Sequence, residues 1–126
     1  MAGTASAVVT GAAMGIGLAV AQRLSADGYH VVCVDWNAEA LERALGSLGG
    51  AASAVTGDIG DWSVHERAAD AAETAGTLRA WVNNAGIEVS SPLLQQSTES
   101  FDKIFAVNVR GTFVTMKAAT PHLVAA

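Results

Sequence analysis

The chain has 126 residues, 51% of them hydrophobic and 15% charged, with a formal net charge of -5 at pH 7. That length supplies one core and not two, and that apolar content excludes disorder. An acidic balance without any Lys/Arg cluster excludes a nucleic-acid partner, and a single cysteine, Cys33, excludes a disulfide framework or a thiolate metal centre.

Residues 1–22 carry no charged side chain, yet a secretory leader is not expected. The stretch lacks a basic start and is broken by Gly11, Gly15 and Gly17. No run of 18 apolar residues occurs, so no membrane span is expected. Cys33 falls in the middle of an apolar run and is expected in the core of a cytoplasmic protein, where thiols stay reduced.

In chain order, the apolar run Ala7-Val8-Val9 leads into residues 10–17, which read Thr-Gly-Ala-Ala-Met-Gly-Ile-Gly, and a helical pattern over residues 18–24 leads out. This predicts strand, glycine turn, helix. Asp27-Gly28 stops that helix, and residues 29–35 form a second strand. Asn37 caps the next helix, whose stripe is Leu41, Ala44, Leu45 and Leu48, with Gly49-Gly50 ending it. Residues 52–56 are a short third strand leading to Gly57-Asp58-Ile59. Ser63 and Glu66 have capping-box spacing, which predicts a third helix from residue 63 to about residue 74. Residues 78–82 are a fourth strand, followed by Asn83-Asn84-Ala85-Gly86, a loop with Pro92, and a long helix from about residue 98. Alternating strands and helices imply βαβ units and a parallel sheet, in one α/β domain spanning residues 1–126.

The glycine turn has a specific chemistry. Gly11 allows backbone angles closed to residues with a Cβ, Gly15 leaves room for a phosphate, and Gly17 lets helix and sheet approach closely. The free N–H groups of the first helical turn, with the positive end of the helix dipole behind them, then face an anion. Asp35 ends the next strand, 20 residues beyond Gly15, the distance expected of a carboxylate that holds a ribose diol. The pattern points to a dinucleotide; a plain structural turn is the competing interpretation.

Together with residues 10–17, Gly57-Asp58-Ile59 and residues 107–112 (Val-Asn-Val-Arg-Gly-Thr), the residues Asn83-Asn84-Ala85-Gly86 make the chain similar to short-chain dehydrogenases/reductases. The likeness runs through the whole chain. It implies a Rossmann-like, doubly wound parallel sheet of order 3-2-1-4, cut off after strand four and its helix, and a hydride transfer between a nicotinamide cofactor and an alcohol or ketone. By the resemblance, Gly11, Met14, Gly15, Ile16 and Gly17 meet the pyrophosphate and its ribose. Asp35 binds the adenosine ribose beside Trp36, Asp58 accepts from the adenine amino group, and Ile59 lies on the ring. Asn84, Ala85 and Gly86 line the cofactor further on. Asn108 resembles the helix asparagine that holds a proton-relay water near the catalytic lysine, although an asparagine on an apolar helix face also has a structural use. Asp35 repels a 2′-phosphate and Met14 stands where phosphate-binding relatives often carry a basic residue, so NAD is expected over NADP.

The family's Tyr-x-x-x-Lys pair does not occur in these residues. Tyr29 is followed four positions on by Cys33, and neither Lys103 nor Lys117 has a tyrosine at that spacing. The expectation is the NAD-binding half of an oxidoreductase, inactive alone; the alternative is a non-catalytic module that senses NAD or dimerises. Between Ile104 and Met116 the only charge is Arg110. One face is expected to carry Phe101, Ile104, Phe105, Asn108, Thr112 and Thr115, and another Ala106, Val109, Phe113 and Met116. A helix apolar on nearly all sides is buried on both, so a homo-oligomer is expected through the helix at residues 98–120 or the open edge of strand four.

Plainer interpretations cover the remaining residues. Asp58 and Asp61 fit a turn and a cap better than a metal site, and no metal is expected. His30, His65 and His122 are scattered over strand, helix and tail. By residue type alone, Trp36, Trp62 and Trp81 cover core and loops.

Overall fold

The structure, a computed structural model, describes residues 3–126. Strands β1 (Ala5–Thr10) and β2 (His30–Asp35) consist almost wholly of small and β-branched side chains, because both faces of each are covered. With β3 (Ala52–Thr56) and β4 (Thr77–Val82) they make one parallel sheet of order β3-β2-β1-β4. The register aligns Val8 with Val32 and Trp81, and Val34 with Val55. The doubly wound order expected from the sequence is the one observed.

Successive side chains of a strand point to opposite faces, so the core divides in two. Val9, Val31 and Cys33 pack under α1 (Gly15–Ala26) and α2 (Ala38–Gly46), with Ala21 and Leu41 as partners. Val8, Val32, Val55 and Leu78 pack on the other face against Val64, Ala68 and Ala72 of α3 (Trp62–Ala75). Leu41 and Leu78 are almost completely buried, and each contributes about 1.5–3 kcal/mol of transfer free energy. Burial also pushes the Cys33 thiol up to about 11.

The boundaries show which local signal won. Asn37 caps α2 as expected, accepting from the Ala40 amide at 3.0 Å. Helix α2 stops earlier than the Gly49-Gly50 pair, where the Ser47 hydroxyl donates to Ala44 O at 2.7 Å. Helix α3 is capped by Asp61 and not by Ser63: the Ser63 amide and hydroxyl both donate to Asp61 Oδ1 at 3.0 Å. Position 61 wins because Gly60 and Asp61 close a turn on Asp58, which delivers the Asp61 carboxylate to the helix end.

The expected long helix is three pieces: α4 (Thr98–Phe105), a π-helical stretch (Ala106–Gly111) and α5 (Thr112–Ala125). The wider π turn shifts the phase of the helix, and this corrects the expected faces. Val107, Gly111, Thr115, Ala118 and Ala119 point inward. Phe101 and Phe105 do not share a face with Thr115; they lie exposed with Val109, Phe113 and Met116, their two rings stacked at 4.6 Å. Among the described residues, β4 has β1 as its one sheet neighbour, and no helix is long and apolar enough to cross a membrane.

Candidate functional site

The turn between β1 and α1 is shaped by its glycines. Gly11 and Gly15 have φ of +65° and +57°, angles that side chains with a Cβ resist. A Cβ on Gly17 would overlap the Gly11 carbonyl oxygen, so glycine here is a condition of the close helix–strand contact. A Cβ on Gly15 would meet nothing within 4 Å, so the space in front of the helix is open. Helix α1 begins after Met14, which offers no side-chain acceptor to the amides of Gly15, Ile16 and Gly17. Those donors point outward, uncapped.

A polar clamp fixes this turn to the end of β4. Thr10 Oγ1 donates to Val82 O at 3.3 Å and accepts from the amides of Asn84 and Ala85 at 3.1 and 3.0 Å. Asn84 Nδ2 in turn donates to the carbonyls of Thr10 and Gly11 at 3.1 and 3.2 Å. The Asn84 side chain is therefore spent on the scaffold, while its residue lines the crevice beside Ala85 and Gly86. The signal for Thr10 was present in the sequence only as a hydroxyl at a strand end.

Beyond the C-terminal ends of the strands lies a crevice of about 270 Å³. Pockets for drug-sized ligands run to roughly 300–1,000 Å³, so this one suits a nucleoside and not an entire dinucleotide. Gly11, Met14, Asp35, Trp36, Asp58 and Ile59 all line it, as do Asn84, Ala85 and Gly86. Asp35 Oδ2 accepts from the Ala13 amide at 3.2 Å and Oδ1 from the Asn37 amide at 3.1 Å. Two bonds leave the carboxylate with further acceptor sites for a diol. Asp58 Oδ1 accepts from Gly60 N at 2.8 Å, which holds that side chain in its turn. Six lining residues had no site role in the sequence: Ala13, Asn37, Ala40, Gly57, Ile87 and Val107. Lys103 was missed too: its Nζ lies 6.0 Å from the ring centre of Trp36, so a cation from α4 reaches the mouth of the crevice.

The model of the short chain dehydrogenase family matches residues 5–126. The chain belongs to the short-chain dehydrogenase family. It is 38% identical over 118 residues to a meso-2,3-butanediol dehydrogenase of Serratia marcescens, covering 92% of this chain and 47% of that protein. It is also 38% identical over 120 residues to a 3beta-hydroxysteroid dehydrogenase of Eggerthella lenta, covering 91% and 46%, and 34% identical over 121 residues to a sorbitol dehydrogenase of Cereibacter sphaeroides, covering 95% and 47%. The chain thus spans about half the length of the curated relatives it matches. Dehydrogenases of this family act on alcohols and ketones and generally use NAD(P).

This short-chain dehydrogenase segment fits the adenosine and phosphate portion of such a cofactor on its own geometry: uncapped amides, open space at Gly15 and a carboxylate at the crevice wall. Asn108 stands apart from the lining. Its Oδ1 accepts from Ile87 N and its Nδ2 donates to Ile87 O, both at 2.8 Å, so it grips the segment after β4 from within the π turn. Tyr29 packs against the α1/α2 core. His30, His65 and His122 do not gather: His30 meets Ser53, His122 meets Glu73, and His65 is buried in α3.

Proposed function

We propose that this chain holds NAD as the cofactor-binding half of an oxidoreductase that acts on an alcohol or ketone. One observation carries the proposal: uncapped amides at the start of α1 and the Asp35 carboxylate bound the same glycine-lined turn. The diphosphate would take the amides of Gly15, Ile16 and Gly17, and the adenosine ribose would take the free lone pairs of Asp35. Asp58 and Ile59 would meet the adenine, with Trp36 at the mouth and Ala85 and Gly86 further along. When bound, the nicotinamide ring supplies the hydride acceptor or donor.

NAD is favoured over NADP because Asp35 is held in place by two amides and a 2′-phosphate would meet its charge. Lys103 is the opposing influence, but its ammonium faces the Trp36 ring. General acid–base catalysis is typically worth about 10²–10⁴-fold, and no Tyr-x-x-x-Lys occurs here. We therefore assign cofactor binding, without appreciable turnover, to these residues alone. Asn108 acts by holding Ile87, with any part in a proton relay requiring residues these 126 do not contain. A cytosolic setting suits the buried Cys33 thiol.

The exposed stripe of Phe105, Val109 and Phe113 favours a second element of the reading, a homo-oligomer formed on this helix face or at the β4 edge. The same stripe supports the competing idea of a module that senses NAD by changing its assembly. Titrating NADH fluorescence while measuring mass in solution separates them. Saturable NADH binding at constant mass supports the cofactor half, mass that follows NADH supports the sensor, and no NADH binding overturns both.

A further inference from the structure

Beneath the crevice runs a buried polar chain that cofactor binding does not use. His65 of α3 is completely buried, and its Nε2 lies 2.6 Å from the carbonyl oxygen of Ile59 and 3.3 Å from Thr115 Oγ1 of α5. The Thr115 hydroxyl donates to Gly111 O at 2.9 Å. A hydroxyl has one proton, so towards His65 the Thr115 oxygen is an acceptor. Nε2 must then carry the hydrogen and share it between Ile59 O and Thr115 Oγ1. Nδ1 is left with a lone pair and no hydrogen-bond partner, on a ring tilted at 52° to Trp81 with centres 6.0 Å apart.

Ile59 is gripped a second time. A Cβ on Gly111 would come within 2.7 Å of Ile59 Cδ1, so the isoleucine side chain lies directly against the bare glycine of the π turn. Its carbonyl and its side chain are thus both referenced to one helical segment, Gly111 to Thr115. Arg110 adds a third tie by donating to Gly60 O at 3.3 Å. A buried imidazole N–H must find an acceptor, and here that acceptor is the carbonyl of a residue lining the crevice; with no exposure, the histidine itself does not touch a ligand.

We propose that His65 is a positioning residue for the adenine pocket: its Nε2–H locks the Ile59 backbone to α5 and thereby sets the wall on which the adenine ring would lie. The proposal rests on the nucleotide reading above and deepens it. It assigns the adenine wall to the far helix, and not to the β3–α3 loop alone.

The test compares two probes, AMP, which needs the wall, and inorganic pyrophosphate, which needs only the α1 turn. Affinities are measured by calorimetry for the wild-type chain, His65→Leu and His65→Gln. Losing the donor to a buried carbonyl predicts AMP binding about tenfold weaker in His65→Leu, with pyrophosphate binding unchanged. His65→Gln, whose amide can still donate, restores AMP binding to within about threefold of wild type. Should His65→Leu fail to fold, Thr115→Val is expected to show the same split at smaller size, and ¹⁵N spectra of the wild-type imidazole to show hydrogen on Nε2. Equal losses for both probes, wild-type AMP affinity in the leucine variant, no rescue by glutamine, or hydrogen on Nδ1 overturns the proposal. Wild-type chain that binds pyrophosphate but not AMP also overturns it, whereas binding of neither removes the nucleotide reading itself.

Discussion

Helices α1 and α3 both follow a strand through a short turn, and they finish their N-termini in opposite ways. At α3 the Asp61 carboxylate accepts the Ser63 amide and hydroxyl. Those bonds, the backbone one foremost, with smaller help from Arg67, hold its carboxyl below the usual range. At α1 the corresponding position is Met14, whose side chain accepts nothing, between two glycines in left-handed conformations. Helices α2 and α4 follow the α3 pattern through Asn37 and Ser97. A side-chain cap satisfies an orphan amide within the protein and is worth about 1 kcal/mol. Leaving it out keeps the amides for something else, and the crevice with Asp35 lies at that uncapped end.

The largest test of this contrast is Gly17→Ala. Its Cβ would overlap Gly11 O, so we expect destabilisation of about 1–3 kcal/mol by overpacking, read by denaturant melts, and loss of measurable NAD binding. Full retention of either would show that the close contact is dispensable. Next comes Asp35→Ala. Removing an acceptor for charged hydrogen bonds worth about 1.5–3 kcal/mol each should weaken NAD at least tenfold and narrow its advantage over NADP; an unchanged ratio of the two dissociation constants removes Asp35 from the ribose.

Smaller effects sharpen the comparison. Met14→Ser gives α1 the cap it lacks, so stability should rise by about 0.5–1 kcal/mol while pyrophosphate affinity falls a few-fold. Unaltered anion binding would mean that those amides are not the receptor. Asp61→Ala is the mirror experiment, expected to lower the melting temperature without touching nucleotide affinity. Because the folded state lowers the Asp61 pKa, its stabilising effect is complete above the ordinary carboxylate range and is lost as pH falls through the folded value. The melting temperatures of wild type and variant should therefore converge in acid, and a gap that persists there would assign the difference to packing.

Much of the scaffold was legible because it rests on local rules. Strands buried on both faces read as apolar runs, and Asn37 and the Leu41–Ala44–Leu48 stripe obey helical spacing. Gly11, Met14, Asp35 and Asp58 reach one crevice because the order β3-β2-β1-β4 brings the ends of three strands together. What stayed hidden depends on partners distant in sequence. The π turn is tied to Asn108 holding Ile87 and to Gly111 lying against Ile59, and a strict 3.6-residue period assigned Phe101 and Phe105 to the wrong face. Lys103 reaching Trp36, and His65 reaching Thr115, likewise leave no trace in local spacing.

The most direct measurement is a ¹⁵N amide titration of the chain with ADP-ribose. Nucleotide binding at the α1 turn predicts the largest shifts at Ala13, Gly15, Ile16 and Gly17, with Asn37 next, and little change at Asp61, Ser63 or the exposed Phe105–Phe113 face. Shifts centred on the capped start of α3 or on that apolar face, with the α1 turn unmoved, would contradict it.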